Sequence, residues 1–148
     1  MDRIVIFLAS GAYVGYVPVA PGTFGSLLAL PLLVTLASAL WSPAATVALL
    51  SLAAGVAMPI CGRAGRIYGQ ADSSRIVLDE VCGMLVAGAG LPPTAWALGL
   101  AFAAFRVFDI VKPFPAGQFD RHVKNGIGVV ADDLVAGIYA NLVVRMLL

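Results

Sequence analysis

Charge is scarce in this chain of 148 residues, because Asp, Glu, Lys and Arg make up only 11% of it, against about 25% in a soluble domain. Hydrophobic residues make up 61%, and the mean hydropathy is +0.97. The net charge of +1 offers no basic surface for a polyanion, so the composition gives no case for nucleic-acid binding. It places the chain among membrane proteins, and its length predicts one domain over residues 1–148. Nothing in it indicates an oligomeric state.

Histidine and cysteine are also rare. The single histidine, His122, stands in a polar stretch typical of a solvated loop. The two cysteines, Cys61 and Cys82, have no zinc or redox spacing, so we expect them to be small core residues. Arg66 follows Cys61 by five positions, one short of a Cys-x5-Arg loop, and no Asp-x-Asp motif occurs. These absences exclude catalysis by a histidine pair, by such a cysteine loop or through a phospho-aspartate.

The apolar residues fall into runs separated by Pro, Gly and polar residues. The runs lie at 27–41, 44–61, 76–91, 94–111 and 127–148. Ser42 and Pro43 suit the N-cap and first position of a helix. Residues 3–20 are apolar but interrupted by Gly and Tyr. We therefore predict an all-α, integral membrane helical bundle with about five membrane helices and an N-terminal interfacial or re-entrant helix.

Basic residues predict the orientation of this bundle. Residues 62–75 and 112–125 hold six of the nine Lys and Arg, whereas 41–43 and 91–93 hold none. By the positive-inside rule the two long loops are cytoplasmic. The polar clusters then share one end of the bundle, which predicts a site at the cytoplasmic face of the membrane.

Two acidic pairs interrupt the apolar segments: Asp79-Glu80 and Asp132-Asp133. A carboxylate in a bilayer costs roughly 2.5–3.5 kcal/mol on insertion scales, a cost that pairing with cations or a polar cavity reduces. Each pair is followed by glycine, Gly83 and Gly137, which would let two helices approach closely. Oxygen ligands from two helices suit Mg²⁺. The alternative is a structural ion-pair network with Arg75, Arg106 or Lys112.

A second group of charges lies at the end of one apolar run. Arg106, Asp109 and Lys112 are spaced by three, and so share roughly one helical face before Pro113 ends the helix. Arg106 and Lys112 could hold a phosphate between them, with Asp109 orienting Arg106 or reaching a metal. Internal pairing with snorkelling of the long side chains is an equal alternative.

A third candidate is the segment Pro21-Gly22-Thr23-Phe24-Gly25-Ser26, a glycine-bearing loop that opens a helix. Its backbone N–H groups and the hydroxyls of Thr23 and Ser26 could bind phosphate oxygens. It is not a Walker A motif, because no Gly-Lys-Ser/Thr follows. Taken alone, an ordinary helix start is the favoured interpretation.

Four blocks of the sequence resemble the bacterial phosphatidylglycerophosphatase A family. They are PGTFGSLLALP (21–31), DSSRIVLDEVCGM (72–84), FRVFDIVKPFP (105–115) and DRHVKNGIGVVADDLVAG (120–137). The resemblance implies an all-helical, Mg²⁺-dependent enzyme of the bacterial inner membrane that hydrolyses the lipid phosphatidylglycerophosphate to phosphatidylglycerol and phosphate. It also adds Asp72 and Asp120 to the site.

From these patterns and the resemblance together we expect the following roles. The metal ligands are Asp79, Glu80, Asp132 and Asp133. The catalytic residues are the same four with Asp109, which would take a proton from a metal-activated water. The phosphate-binding residues are Gly22, Thr23, Gly25, Ser26, Arg106, Lys112 and Arg121.

Two alternatives remain open from the sequence. The enzyme could act on another lipid or on a soluble phosphomonoester, because the apolar surface that would bind lipid tails is generic. A small cation- or proton-conducting membrane protein would use the same carboxylates, although polar residues would then be needed across the whole depth of the membrane.

Overall fold

A computed structural model describes residues 2–39, 42–118 and 123–148, and within these ranges the chain is helical without strands. A 3₁₀ turn at Val14–Tyr16 and a short helical segment at 116–118 accompany the main helices. The main helices are α1 (Asp2–Ala9), α2 (Pro21–Ala39), α3 (Pro43–Tyr68), α4 (Leu78–Gly88), α5 (Ala95–Val111) and α6 (Gly126–Leu147). The predicted all-α class is confirmed.

Three helices begin at side-chain caps. The Ser42 hydroxyl accepts a hydrogen bond from the Ala45 N–H at 3.1 Å, with Pro43 at the first helical position, as predicted. Thr94 caps α5 in the same way. Asn125 Oδ1 caps α6 and accepts from two N–H groups, of Ile127 at 2.9 Å and of Gly128 at 3.2 Å. These caps satisfy donors that a helix start would otherwise leave unpaired.

The short helix α4 lies at the centre of the bundle, in contact with α2, α3, α5 and α6. Eight of its eleven residues are buried. At about 1.5 Å per residue it is roughly 17 Å long, well below the roughly 30 Å of a bilayer core. Its carboxyl end therefore needs partners inside the protein. Asn141 Nδ2 donates to the carbonyl oxygens of Ala87 and Ala89, at 2.8 and 2.9 Å, and Arg145 Nη2 donates to Ala89 at 2.8 Å.

Glycines set the close approach of α4 and α6. A Cβ on Gly137 would collide with the carbonyl oxygen of Gly83. A Cβ on Gly83 would lie 2.7 Å from the carbonyl oxygen of Asp133 and 2.6 Å from the Phe105 ring. The predicted role of Gly83 and Gly137 is thus confirmed, and it places the two acidic pairs side by side.

Two helices in the described residues are long and apolar enough to cross a membrane: α3, of 26 residues, and α6, of 22. The buried side of α3 carries only small residues, namely Ala54, Ala57, Cys61, Ala64 and Gly65. Larger side chains such as Leu52 and Val47, both 64% exposed, point outwards. This arrangement lets α3 pack closely while it presents an apolar surface. The predicted count of about five membrane helices is not confirmed, because α4 has 11 residues and α5 has 17.

The N-terminal element begins with α1, which packs on α3. Asp2 Oδ1 pairs with Arg63 Nη2 at 2.8 Å, and the Val77 N–H donates to the Ala9 carbonyl at 2.9 Å. At eight residues α1 is about 12 Å long, which is too short to span a bilayer by itself. Its interfacial or re-entrant placement stays a prediction. Cys61 and Cys82 are free and buried, as expected of core residues.

Candidate active site

A polar cavity of about 160 Å³ lies where α4 begins, α5 ends and α6 passes through its second turn. Its walls carry six carboxyl groups and one lysine. The lining residues are Asp72, Asp79, Glu80, Asp109, Lys112, Val129, Asp132 and Asp133. Both acidic pairs and the end of the Arg106–Lys112 stripe therefore meet at one place, although they are far apart in sequence.

Three of these carboxylates converge on one point. Asp79, Glu80 and Asp133 each offer an oxygen, and the three oxygens lie within 4.8 Å of one another. Among the described residues, Asp79 Oδ1 and Glu80 Oε2 are buried without a hydrogen-bond partner. Carboxylates so close repel one another unless a proton or cation lies between them. The group therefore fits a hard cation with oxygen ligands, such as Mg²⁺.

Asp132, the fourth residue of the two pairs, faces a different partner. Its Oδ2 lies 2.6 Å from Lys112 Nζ, and its Oδ1 accepts a hydrogen bond from the Asp133 N–H at 3.1 Å. Asp132 lines the cavity but is not one of the three carboxylates that converge. Lys112 ends α5 in a left-handed conformation, at φ 47°, and is the one predicted phosphate-binding residue on the cavity wall among those described.

Asp109 connects the cavity to Arg106. Arg106 Nη1 lies 2.6 Å from Asp109 Oδ2, and Asp109 and Asp133 line the same cavity. Arg106 itself does not line the cavity. Its Nη1 also reaches the Ser26 hydroxyl at 3.4 Å, while its Nε is buried without a partner among the described residues. In this structure Arg106 pairs with Asp109, which is the internal pairing that the spacing offered as an alternative to phosphate binding, and the phosphate-binding role of Arg106 stays a prediction.

The predicted glycine-bearing loop lies in the first turns of α2, because the helix begins at Pro21. Ser26 is buried and donates to the Gly22 carbonyl oxygen at 2.8 Å. A Cβ on Gly25 would lie 2.6 Å from Val77 Cβ, and one on Gly22 would collide with the Glu80 carboxylate. These residues, and Thr23, do not line the cavity. Their contacts shape the wall behind Glu80, and their phosphate-binding role stays a prediction.

Four further polar residues were named from the sequence, three near position 121 and one at position 72. Asp120, Arg121 and His122 lie outside the described residues. Asp72 lines the cavity, although only the resemblance indicated it. The signal in the sequence was weak, because Asp72 stands in a polar stretch with no helical periodicity to assign it a direction.

Comparison with known proteins gives an independent result. The family model of phosphatidylglycerophosphatase A matches residues 7–148. Phosphatidylglycerophosphatase A of Escherichia coli is 36% identical over 132 residues, 88% of this chain and 76% of that protein. The Haemophilus influenzae protein of the same name is 39% identical over 138 residues, 93% and 84% of the two chains.

A third relative has a different name. A Bacteroides thetaiotaomicron protein, provisionally named a phosphatidylinositol-3-phosphatase, is 34% identical over 150 residues, 95% of this chain and 91% of its own. No solved structure matches the chain significantly. The family match covers nearly the whole sequence, including every residue of the polar cavity. The chain belongs to the phosphatidylglycerophosphatase A family.

Proposed function

We propose that this protein is a Mg²⁺-dependent lipid phosphatase of the bacterial inner membrane that hydrolyses phosphatidylglycerophosphate to phosphatidylglycerol and phosphate. The observation that carries the proposal is the convergence of Asp79, Glu80 and Asp133 beside Lys112 in one polar cavity, in a chain of this family. The cavity combines oxygen ligands for a cation with a cation for an anionic substrate.

Asp79, Glu80 and Asp133 would hold the ion. Two of them contribute buried oxygens that lack a partner among the described residues, and such oxygens are stabilised by a bound cation. When bound, Mg²⁺ supplies neutralising charge for phosphate oxygens and lowers the pKa of a coordinated water. Asp132 contributes through Lys112 in this proposal, because its Oδ2 is engaged with the ammonium at 2.6 Å.

The remaining residues orient the phosphate and accept a proton. Lys112, fixed between its helix end and Asp132, presents positive charge to the transferring phosphoryl group. Asp109 is the candidate proton acceptor, since its carboxylate lines the cavity and is fixed by Arg106, whose Nη1 lies 2.6 Å away. Arg106 would act mainly by orienting Asp109.

The surroundings of the cavity suit a lipid. Large apolar side chains near the cavity end of α5 and α6 are exposed, among them Ile110 at 73%, Val111 at 67% and Ile127 at 54%. Acyl chains can remain in the leaflet beside them while the headgroup enters the cavity. The Lys and Arg in the loops at this end favour the cytoplasmic face.

A second substrate is favoured by the third relative, whose provisional name refers to phosphatidylinositol 3-phosphate. That lipid has the same layout as phosphatidylglycerophosphate: a diacylglycerol, a phosphodiester, a polyol and a terminal phosphomonoester. Ion conduction is less well supported. At the far end of α4, the polar side chains of Asn141 and Arg145 are engaged in capping backbone carbonyl oxygens.

The experiment is phosphate release by the purified protein from both lipids and from glycerol 3-phosphate, with Mg²⁺ and with a chelator. We expect Mg²⁺-dependent release, fastest from phosphatidylglycerophosphate. Faster release from the phosphoinositide would replace the substrate and keep the mechanism. Release that is unchanged by the chelator would refute the role of the metal, and cation flux in liposomes without phosphate release would favour the conducting alternative.

A further inference from the structure

A second and larger cavity lies beside the polar one. It has a volume of about 740 Å³ and opens between the second half of α3 and the start of α6. Its floor is the contact of the two backbones: a Cβ on Gly62 would lie 3.4 Å from the Gly126 backbone nitrogen, and a Cβ on Gly126 would collide with the backbone of α3. We refer to this space as the α3–α6 cleft.

Two cations stand on the wall of the α3–α6 cleft, Arg66 and Lys124. Both are exposed, and neither forms an ion pair or hydrogen bond with another described side chain. At the start of α6, Asn125 Oδ1 accepts from two N–H groups of the first turn, so these two donors are already engaged. The rest of the lining is mostly apolar or backbone. The cleft thus offers two available cations next to an apolar surface.

The α3–α6 cleft is continuous in sequence with the polar cavity at two points. Ala71 lines the cleft and the next residue, Asp72, lines the polar cavity; Ile127 lines the cleft and Val129 lines the polar cavity. Consecutive Cα atoms, such as those of Ala71 and Asp72, are about 3.8 Å apart, and two residues of the helix α6 advance about 3 Å along its axis. A three-carbon polyol between two phosphates has a length of the same order.

The charge of the polar cavity explains why cations in the neighbouring cleft would help an anionic lipid to bind. Six carboxyl groups and one lysine line the polar cavity, an excess of negative charge that one bound divalent cation offsets only in part, so further cations nearby would favour an anionic headgroup. A lipid whose headgroup carries a phosphomonoester beyond a phosphodiester also has a second negative charge to place. Arg66 and Lys124 lie on the cleft wall six residues before Asp72 and five residues before Val129, and among the described side chains neither has an ion-pair partner.

We propose that the α3–α6 cleft binds the phosphodiester of the lipid substrate, with Arg66 and Lys124 as the residues that contact it, while the terminal phosphate enters the polar cavity. The inference rests on the proposed lipid phosphatase function. It assigns the recognition of lipid over soluble phosphomonoesters to residues outside the catalytic cavity. A diester-bearing lipid then binds through two phosphates, and a soluble phosphomonoester binds through one.

The test compares the double variant Arg66→Gln/Lys124→Gln with the matched variant Arg3→Gln/Arg63→Gln. Both remove two positive charges, and the control residues lie outside both cavities; Arg3 is exposed, and Arg63 is half-buried and pairs with Asp2 at 2.8 Å, so each variant is compared with its own unliganded form. Substrates are phosphatidylglycerophosphate in neutral detergent micelles and glycerol 3-phosphate. We expect the first variant to raise KM for the lipid at least about tenfold, the effect of losing one charged hydrogen bond. The kcat, and KM for glycerol 3-phosphate, should not change.

A binding measurement that needs no turnover separates the two proposals. Phosphatidylglycerol keeps the phosphodiester and lacks the phosphomonoester, so it should stabilise the wild type against thermal unfolding more than diacylglycerol does. That difference should disappear in Arg66→Gln/Lys124→Gln and persist in the control. An unchanged lipid KM, or an equal rise for both substrates, overturns the cleft assignment alone. If the wild type releases phosphate only from the soluble substrate, the lipid function and this inference both fail.

Discussion

The two acidic pairs are alike in sequence and differ in their surroundings. In the pair on α4, both Asp79 and Glu80 belong to the three converging carboxylates. In the pair on α6, Asp133 belongs to that group, while Asp132 binds Lys112 at 2.6 Å. Both members of the first pair thus belong to the converging group, and the second pair divides its carboxylates between that group and Lys112, which lines the same cavity.

The difference follows from helix rotation. Adjacent residues on a helix point about 100° apart. Two neighbouring side chains therefore face the same point only if one of them is long enough to bend back. Glu80 has one more methylene than aspartate and can reach the point that Asp79 faces. Asp132 cannot do this beside Asp133. The chemistry of each pair is therefore fixed by side-chain length and by how the helix is rotated.

The largest effect is expected from substitution of Asp133, and it tests whether Asp133 and Asp132 have different roles in activity. Asp133→Asn removes a charge from the converging group and should lower kcat about a thousandfold, as loss of a central electrostatic group does. Steady-state kinetics over a range of Mg²⁺ concentrations measures this, and the apparent Mg²⁺ affinity should also fall. Nearly full activity of Asp133→Asn would contradict the proposal that Asp133 holds the cation and Asp132 does not.

Asp132→Asn should have a smaller effect, about ten- to a hundredfold in kcat/KM, because it acts through Lys112. Lys112→Gln should cause a similar loss, and the double variant should be little worse than either, since the pair works as a unit. The apparent Mg²⁺ affinity of Asp132→Asn should stay close to that of the wild type. A strongly additive double variant would show that Asp132 has a second role, such as metal ligation.

The third prediction concerns the packing behind the α6 pair. Gly137→Ala places a Cβ against the Gly83 carbonyl, so it should destabilise the protein by about 1–3 kcal/mol through overpacking. Thermal unfolding in detergent measures this. Gly99→Ala is the matched control, because nothing lies within 4 Å of its new Cβ. Equal stability of the two variants would mean that α4 and α6 do not pack this tightly.

The smallest effect concerns the wall behind the α4 pair. Gly22→Ala presses on the end of the Glu80 side chain, which can move, so the fold should hold while the apparent Mg²⁺ affinity falls about tenfold. Gly25→Ala presses on Val77 instead and should reduce the unfolding temperature without a comparable change in Mg²⁺ affinity. The reverse pattern would mean that Gly22 has a packing role and Gly25 faces the site.

The sequence predicted much of this arrangement for identifiable reasons. Capping residues and turns located helix starts, as at Ser42, and the glycines after each acidic pair predicted the helix contact that joins them. The position of Arg106 could not be predicted, because spacing defines a face but not what lies opposite it. The length of α4 was also missed, since the apolar run at 76–91 contains both the helix and the turns that end it. The cation group was predicted as four residues, and only packing decides which three converge.

The central position of α4 has a consequence for which substitutions the protein can accept. Side chains of α4 are enclosed by protein on nearly every side, so their volume and shape are constrained, and even exchanges between apolar residues should be poorly tolerated. The outward side chains of α3 have no such neighbours, so hydrophobicity is the main requirement there. Related proteins should therefore differ from this chain in different ways at the two helices. In α4 we expect few substitutions, each with a side chain of similar size. On the outward face of α3 we expect Leu, Val, Ile and Ala to replace one another freely.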